Sequence, residues 1–243
     1  MHRPRSIRLL PQHELDPCVS CTARGFSVCN AIEDNDLGRL AAVALSRDVA
    51  KGETFIEEGE TASDFFNITS GTVKLYKLLP DGRQQVTGFA TAGHFLGLAV
   101  SKTYAFSAEA IEPTQLCRFS RPKLRELIQD FPALEQRLLE TACNELAAAQ
   151  EQMLLLGRKT ARERVASFLV ARAEVQLPCT TAGDRIALPM TRSEIADYLG
   201  LTIETVSRTM SRFKAENRIA IPSNAEVVLL DRPWLEGMAT GLH

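Results

Sequence analysis

Between Thr191 and Phe213 the chain reads TRSEIADYLGLTIETVSRTMSRF, two helical stretches separated by Gly200. Thr191, with Glu194 three residues on, makes a capping-box pattern, in which each residue satisfies a backbone N–H that the first helical turn leaves over. Thr202 and Thr205 open the second stretch with another polar cap. Gly200 suits the reversal between them because glycine adopts positive φ without steric cost. Ala196 is small enough to let the second helix approach. Ile195, Leu199, Leu201 and Val206 fall where the two helices must face each other, and Thr209 stands where another apolar residue is expected. The pattern predicts a helix-turn-helix whose second helix lies in the DNA major groove. A plain surface helical hairpin is the second choice on spacing alone.

On that reading the second helix offers Thr202, Glu204, Thr205, Ser207, Arg208, Ser211 and Arg212 along its start and one side. Arginine bonds G O6 and N7 bidentately, glutamate accepts from cytosine N4, and serine serves either base. Arg212 and Lys214 fall where phosphates run. The following RIAIPSNAEVVLLD alternates like a two-stranded wing. The net charge of −2 taken whole argues against a nucleic-acid binder. It hides an asymmetry: Arg158 to Ile219 holds eleven Lys and Arg against seven Asp and Glu, the remainder seventeen against twenty-three. A basic reader joined to an acidic sensor fits those numbers.

With 243 residues the chain has room for two modest domains. From about Val49 to Phe119, short runs rich in Val, Thr, Ile and aromatics alternate with glycines, and Asp81-Gly82 is a hairpin-turn signal. A β-sandwich or jelly-roll barrel is expected there. From Arg121 to about Lys159 the pattern turns helical. Leu139, Ala142, Leu146, Ala149, Met153 and Leu156 recur at alternating spacings of three and four, a heptad seam suited to pairing with a second copy. The alternative is a core helix packed on its own barrel. Cys143 beside the seam reads as a small buried hydrophobe. No apolar run reaches the roughly 18 residues that a membrane span needs. The N-terminus also lacks the apolar stretch of an export signal, so the cytoplasm is expected.

Six cysteines occur, and Cys18, Cys21 and Cys29 crowd into twelve residues near the N-terminus. Cys117 lies far off on the expected last barrel strand. In a reducing cytoplasm this is no disulfide framework. Four thiolates suit Zn²⁺ or an iron–sulfur cluster, and spacing alone leaves the two level. Cys179, in the loop from Leu177 to Arg185, reads as incidental or as a redox thiol.

A barrel, a long pairing helix and a winged helix-turn-helix containing ETVSRTMSRF resemble the Crp/Fnr family of transcription regulators, from about Cys18 to Leu230. The resemblance implies an α+β chain in four parts. Residues 1–30 form a cysteine-bearing segment and 31–120 a double-stranded β-helix (jelly-roll) sensor. Residues 121–160 form the dimerisation helix region and 161–243 the winged helix-turn-helix. It implies a regulator of genes for low-oxygen metabolism and no enzyme. Glu204-x-x-Ser207-Arg208 is similar to the motif with which FNR-type members read a TTGAT half-site repeated as a palindrome. Glu204, Ser207 and Arg208 are then the base readers, with Thr191, Thr202 and Arg212 as flanking DNA contacts. Two recognition helices one DNA turn apart require a homodimer. RNA polymerase is implied as a partner, through the loop Leu177 to Arg185 and the turn Pro80-Asp81-Gly82-Arg83.

The same resemblance discriminates between signals. Cyclic-nucleotide members place a Glu on the ribose and an Arg on the phosphate. Here Leu98 stands at the first position and Phe106, before Ser107, at the second, so a buried phosphate has no counter-charge. FNR-type members hold a [4Fe–4S] cluster with three N-terminal cysteines and a central one, which implies Cys18, Cys21, Cys29 and Cys117 as ligands. Zinc, or no metal, is the alternative. The seven-residue gap between Cys21 and Cys29 resembles the FNR-like regulators of rhizobia and other alphaproteobacteria. An acidic residue often sits on the seam of oxygen-switched members. Ala149 stands there instead, with Glu151 turned away, which argues against a simple monomer–dimer switch. His94 reads as a turn residue, with a haem or nitric-oxide sensor as rival. A cysteine-ligated metalloenzyme lacks a neighbouring Glu base and a phosphate loop.

Overall fold

Short alternating runs punctuated by glycine turns build eight antiparallel strands in the first half of the chain. The computed structural model describes residues 18–98, 102–176 and 184–241. A short helix α1 (Leu37–Ala41) leads into β1 (Ala44–Val49), β2 (Thr54–Ile56), β3 (Asp64–Ser70) and β4 (Thr72–Leu78). β5 (Gln84–Thr91), β6 (Phe95–Leu96), β7 (Ser107–Ala110) and β8 (Thr114–Ser120) complete the set. They form two sheets, ordered β1-β8-β3-β6 and β2-β7-β4-β5, the jelly roll expected from the sequence. The β4–β5 hairpin closes at Asp81-Gly82, with Leu78 opposite Gln84 and Gly82 at φ 84°.

Period-two alternation gives β3 two different faces. Phe66 and Ile68 point into the barrel core with Ile56, Val73, Ala108 and Leu116. Phe65 points outward, where Val28, Ile32, Leu37, Leu40, Phe95 and Phe119 form a second core. That outer core also takes Leu124 and Leu127 of α2 (Arg121–Asp130) and Leu134 and Leu138 of α3 (Pro132–Arg158). Pro132 opens α3 at a position where its missing N–H costs nothing. The cysteine-bearing segment is thus packed between the barrel's outer sheet and the root of the long helix.

The C-terminal half is built on α4 (Ala161–Gln176), α5 (Arg192–Leu199) and α6 (Ile203–Ala215), with β9 (Arg185–Ala187), β10 (Ile219–Ser223), β11 (Glu226–Leu229) and α7 (Arg232–Thr240). Phe168, Leu169, Ile195, Leu199, Val206, Phe213 and Leu235 make its core. The expected two-stranded wing is a three-stranded sheet, ordered β10-β11-β9. β9 has one buried residue, Ile186, too little pattern to read in advance. α7 was not foreseen, although Asp231 caps Trp234 N–H and Pro233 follows the cap, both start signals. Among the described residues no helix is long and apolar enough to cross a membrane.

Candidate functional site

The first candidate surface is the helix pair α5–α6. Thr191 accepts from Glu194 N–H at 3.2 Å while Glu194 Oε2 accepts from Thr191 N–H at 2.7 Å, the reciprocal capping box. Gly200 then turns the chain at φ 60°. Thr202 caps α6 by accepting from Thr205 N–H at 3.2 Å. Val206, Thr209, Met210 and Phe213 bury one face of α6, so Glu204, Ser207, Arg208, Ser211 and Arg212 stand exposed on the other. Thr209 is buried although polar. Glu204 is held below the usual carboxylate range, first by its own backbone N–H and then by Thr202. It is therefore ionised at neutral pH, an acceptor suited to a cytosine amino group. Arg212 differs from the expectation of a free phosphate contact: its Nε lies 2.8 Å from Glu216, which also binds Arg162. Lys214 is exposed and forms no ion pair among the described residues.

The second candidate site lies on the outer barrel sheet. Cys18, Cys21, Cys29 and Cys117 line one cavity of about 260 Å³, with Arg24, Ser46, Asn67 and Gln115. Two tight turns shape the N-terminal wall, Arg24 N–H bonding Cys21 O and Ile32 N–H bonding Cys29 O, both at 3.2 Å. Ser27 Oγ accepts from Cys29 N–H at 3.2 Å. Arg24 pins the segment by donating to Ile32 O at 2.7 Å and to Asp34 at 2.6 Å. Burial pushes the Cys117 thiol from the ordinary 9.0 up to about 11, and the neighbouring Cys29 and Cys21 add repulsion. Cys29 is raised as well, chiefly by burial. Among the described residues no group of three or more His, Cys, Asp or Glu is arranged to hold a metal ion. The four thiols share one chamber.

The third element is α3. Leu139, Leu146 and Met153 are 65, 60 and 68% exposed, and Ala142 and Ala149 share that surface. Leu156, expected on the same seam, instead packs half-buried against the C-terminal core, where a Cβ on Gly200 would meet its Cδ2 at 3.1 Å. The seam thus ends a turn early, because the last turn of α3 must cover the helix-turn-helix. Cys143 is exposed on the single chain and not buried, since it faces away from the barrel beside the apolar stripe.

Several contacts join these elements, and two that sequence reading missed involve charged side chains. Arg164 donates to the carbonyls of Lys159, Leu156 and Leu199 at 2.9, 2.8 and 2.9 Å, tying the end of α3 to α5. Lys74 of the barrel bridges Glu109 and Glu194. His94 sits in the β5–β6 turn, its Nδ1 within 3.2 Å of Thr91 N–H. Phe106, at the position of the phosphate-binding cation in cyclic-nucleotide members, packs against the barrel core, and Leu98 packs half-buried against the outer core. Cys179 and most of the loop from 177 to 185 lie outside the described residues.

A family model described as the cyclic nucleotide-binding domain matches residues 46–131, and one for the Crp-like helix-turn-helix domain matches residues 163–238. Nitrogen fixation regulation protein FixK of Bradyrhizobium diazoefficiens is 40% identical over 222 residues, covering 91% of this chain and 93% of that protein. Transcriptional activator protein FnrL of Cereibacter sphaeroides is 37% identical over 221 residues, 89% of each. The solved structure of FixK2 from Bradyrhizobium japonicum matches with a TM-score of 0.75 and 36% identity, over 81% of this chain and 97% of that one.

Proposed function

The chain belongs to the Crp/Fnr family of DNA-binding transcription regulators, and we propose that it is a cytoplasmic homodimeric activator sensing oxygen through a [4Fe–4S] cluster on Cys18, Cys21, Cys29 and Cys117. The observation that carries this reading is the single chamber into which all four cysteines open, although one of them is 88 residues or more away in sequence. The donor set fits the group: four sulfurs, one neighbouring cation at Arg24, and more space than one ion fills. When bound, the cluster supplies irons whose sulfur ligation oxygen disrupts.

The chain's own residues then carry the signal. The cysteine segment presses Val28 and Ile32 into the same core as Leu134 and Leu138 of α3. A segment tethered through Cys18, Cys21 and Cys29 to a group shared with Cys117, and one released from it, present different surfaces to the root of that helix. The exposed stripe of Leu139, Leu146 and Met153 is the face a second copy covers. Pairing sets two α6 helices side by side, so Glu204, Ser207 and Arg208 read a TTGAT-type half-site twice, with Thr191 and Thr202 near the backbone. As an activator the dimer also touches RNA polymerase, with the exposed turn Pro80–Arg83 as one contact. A cyclic nucleotide is not the signal on this reading, because Leu98 and Phe106 replace its anchors.

Absorption spectroscopy with iron and sulfide analysis on anaerobically purified protein tests the sensor. About four irons per chain with a visible band that air bleaches is the expected result. A colourless protein with one zinc, or none, overturns the cluster and leaves the DNA reader standing. For the reader, Arg208→Ala is expected to cost about 1–3 kcal/mol per half-site on a TTGAT palindrome. Undiminished binding refutes the assignment of α6.

A further inference from the structure

Asn67 is the residue of the cysteine chamber that packing alone does not account for. It lies on β3 directly opposite Cys117 of β8, while Ser46 of β1 faces Cys117 from the other side. Ser46, Cys117 and Asn67 therefore form one row across the sheet, and all three line the chamber. Asn67 is 1% exposed, and its Oδ1 is buried without a hydrogen-bond partner. Every other buried side-chain atom left in that state among the described residues is an arginine Nε, whose group has further donors. A buried amide oxygen without a hydrogen-bond partner forfeits the bonds that water would have made to it. The adjacent outward positions on these strands carry Phe65 and Phe119, so an apolar residue is tolerated on this face.

We propose that Asn67 is a positioning residue for the iron–sulfur group, a reading that rests on the cluster assignment above. Its carboxamide donates Nδ2–H to the sulfurs on the Cys117 side of the chamber. Asn67 lines the chamber beside Cys117, and because the two ends of a carboxamide have the same shape, a half-turn costs no packing and lets Nδ2 be the end that meets the sulfurs. A donor aimed at electron-rich sulfur favours the form with more negative charge, which is the reduced one. Hydrogen bonds to cluster and thiolate sulfurs are one of the levers that set the potential. Asn67 thus raises the potential and slows the loss of electrons to oxygen. Leu would fill the space and do neither.

The test compares anaerobic wild-type protein with Asn67→Leu and Asn67→Asp, measuring iron and sulfide content, midpoint potential and the rate of bleaching in air. Both variants are expected to keep about four irons. Asn67→Leu is expected to shift the redox equilibrium about tenfold toward oxidation, ~59 mV for one electron, and to bleach several-fold faster. Asn67→Asp, acceptor-only in equal volume, is expected to shift at least as far, and it carries the comparison should the Leu variant not fold. Asn67→Ser keeps a donor and is expected to recover part of the shift. Potentials and bleaching rates equal to wild type in iron-loaded variants overturn the role of Asn67 while the cluster stands. Wild-type protein devoid of iron and sulfide removes the cluster, and this role with it.

Discussion

Lys74 Nζ lies 3.3 Å from Glu194 Oε1, so a barrel strand and the first helix of the DNA reader share one buried cation. The other oxygen of Glu194 closes the capping box on Thr191 at 2.7 and 2.9 Å. Glu109, 3.1 Å from the same ammonium, completes a triad across the domain boundary. Phe89, Phe168 and Tyr198 pack beside it, and Gln85 donates to Asp197 O at 2.6 Å. Lys74 is only 5% exposed, so solvent screens little of this interaction.

Lys74→Met leaves Glu109 and Glu194 facing each other without their cation. Breaking a buried pair by removing one partner costs about 3 kcal/mol or more. The expected outcome is a lower denaturation midpoint and, in calorimetry, a barrel and a DNA-binding domain that melt in separate transitions. Glu194→Gln keeps a polar cap and is expected to lose less. A single unshifted transition for Lys74→Met refutes the latch.

Arg164 is the second joint. Its planar fork reaches the carbonyls of Leu156 on α3, Lys159 just after it and Leu199 at the end of α5, and helix C-termini favour such a cation. A lysine carries the charge but cannot span three acceptors. Charge-assisted hydrogen bonds contribute about 1.5–3 kcal/mol each, and not additively. Arg164→Lys is therefore expected to lose about 3 kcal/mol of stability and to weaken DNA binding. Urea denaturation and a DNA titration check both, and wild-type values in the two assays refute the joint.

Local chemistry made part of the site legible in advance. Thr191 with Glu194, Gly200 and Thr202 signal through spacings of three residues, and each forms the cap or turn its neighbours dictate. The glycine-punctuated strands and Asp81-Gly82 announced the barrel in the same way. Lys74 with Glu194 and Arg164 with Leu199 are separated by 120 and 35 residues, and nothing in the neighbourhood of either partner marks the pair. Leu156 obeys the heptad yet serves the other domain, because periodicity fixes a helix face and not its partner. Asn67 was invisible for another reason. It sits mid-strand in an apolar run, and only its pairing with Cys117 gives it meaning.

The exposed stripe on α3 gives a dimer prediction. Leu139, Leu146 and Met153 leave a row of apolar side chains in water on a 27-residue helix, the face proposed to pair with a second copy. Leu146→Glu places two like charges at the centre of that seam. Light scattering on the anaerobic protein is expected to show a monomer, and palindrome binding is expected to fall sharply. Because Ala149 adds no repulsion, cluster-free wild type is expected to stay dimeric. A dimeric Leu146→Glu variant assigns the interface elsewhere.

The cysteine chamber makes stability and loading depend on pH in opposite senses. Cys117 is raised to about 11 by burial and by Cys29 and Cys21, and Cys29 is raised by burial. A raised folded value means that the fold favours the thiol. That contribution is complete below the unfolded value near 9.0 and is lost as pH climbs toward 11. The cluster-free protein is therefore expected to lose stability across that alkaline window, and Cys117→Ser to flatten the loss. Ligation needs the thiolate, so loading expels the same protons and tightens as pH rises. Anaerobic uptake of iron and sulfide is expected to be stronger at pH 8.5 than at pH 7, with protons released to a weak buffer. Uptake indifferent to pH means that the buried thiols are not the ligands, whatever metal the protein carries.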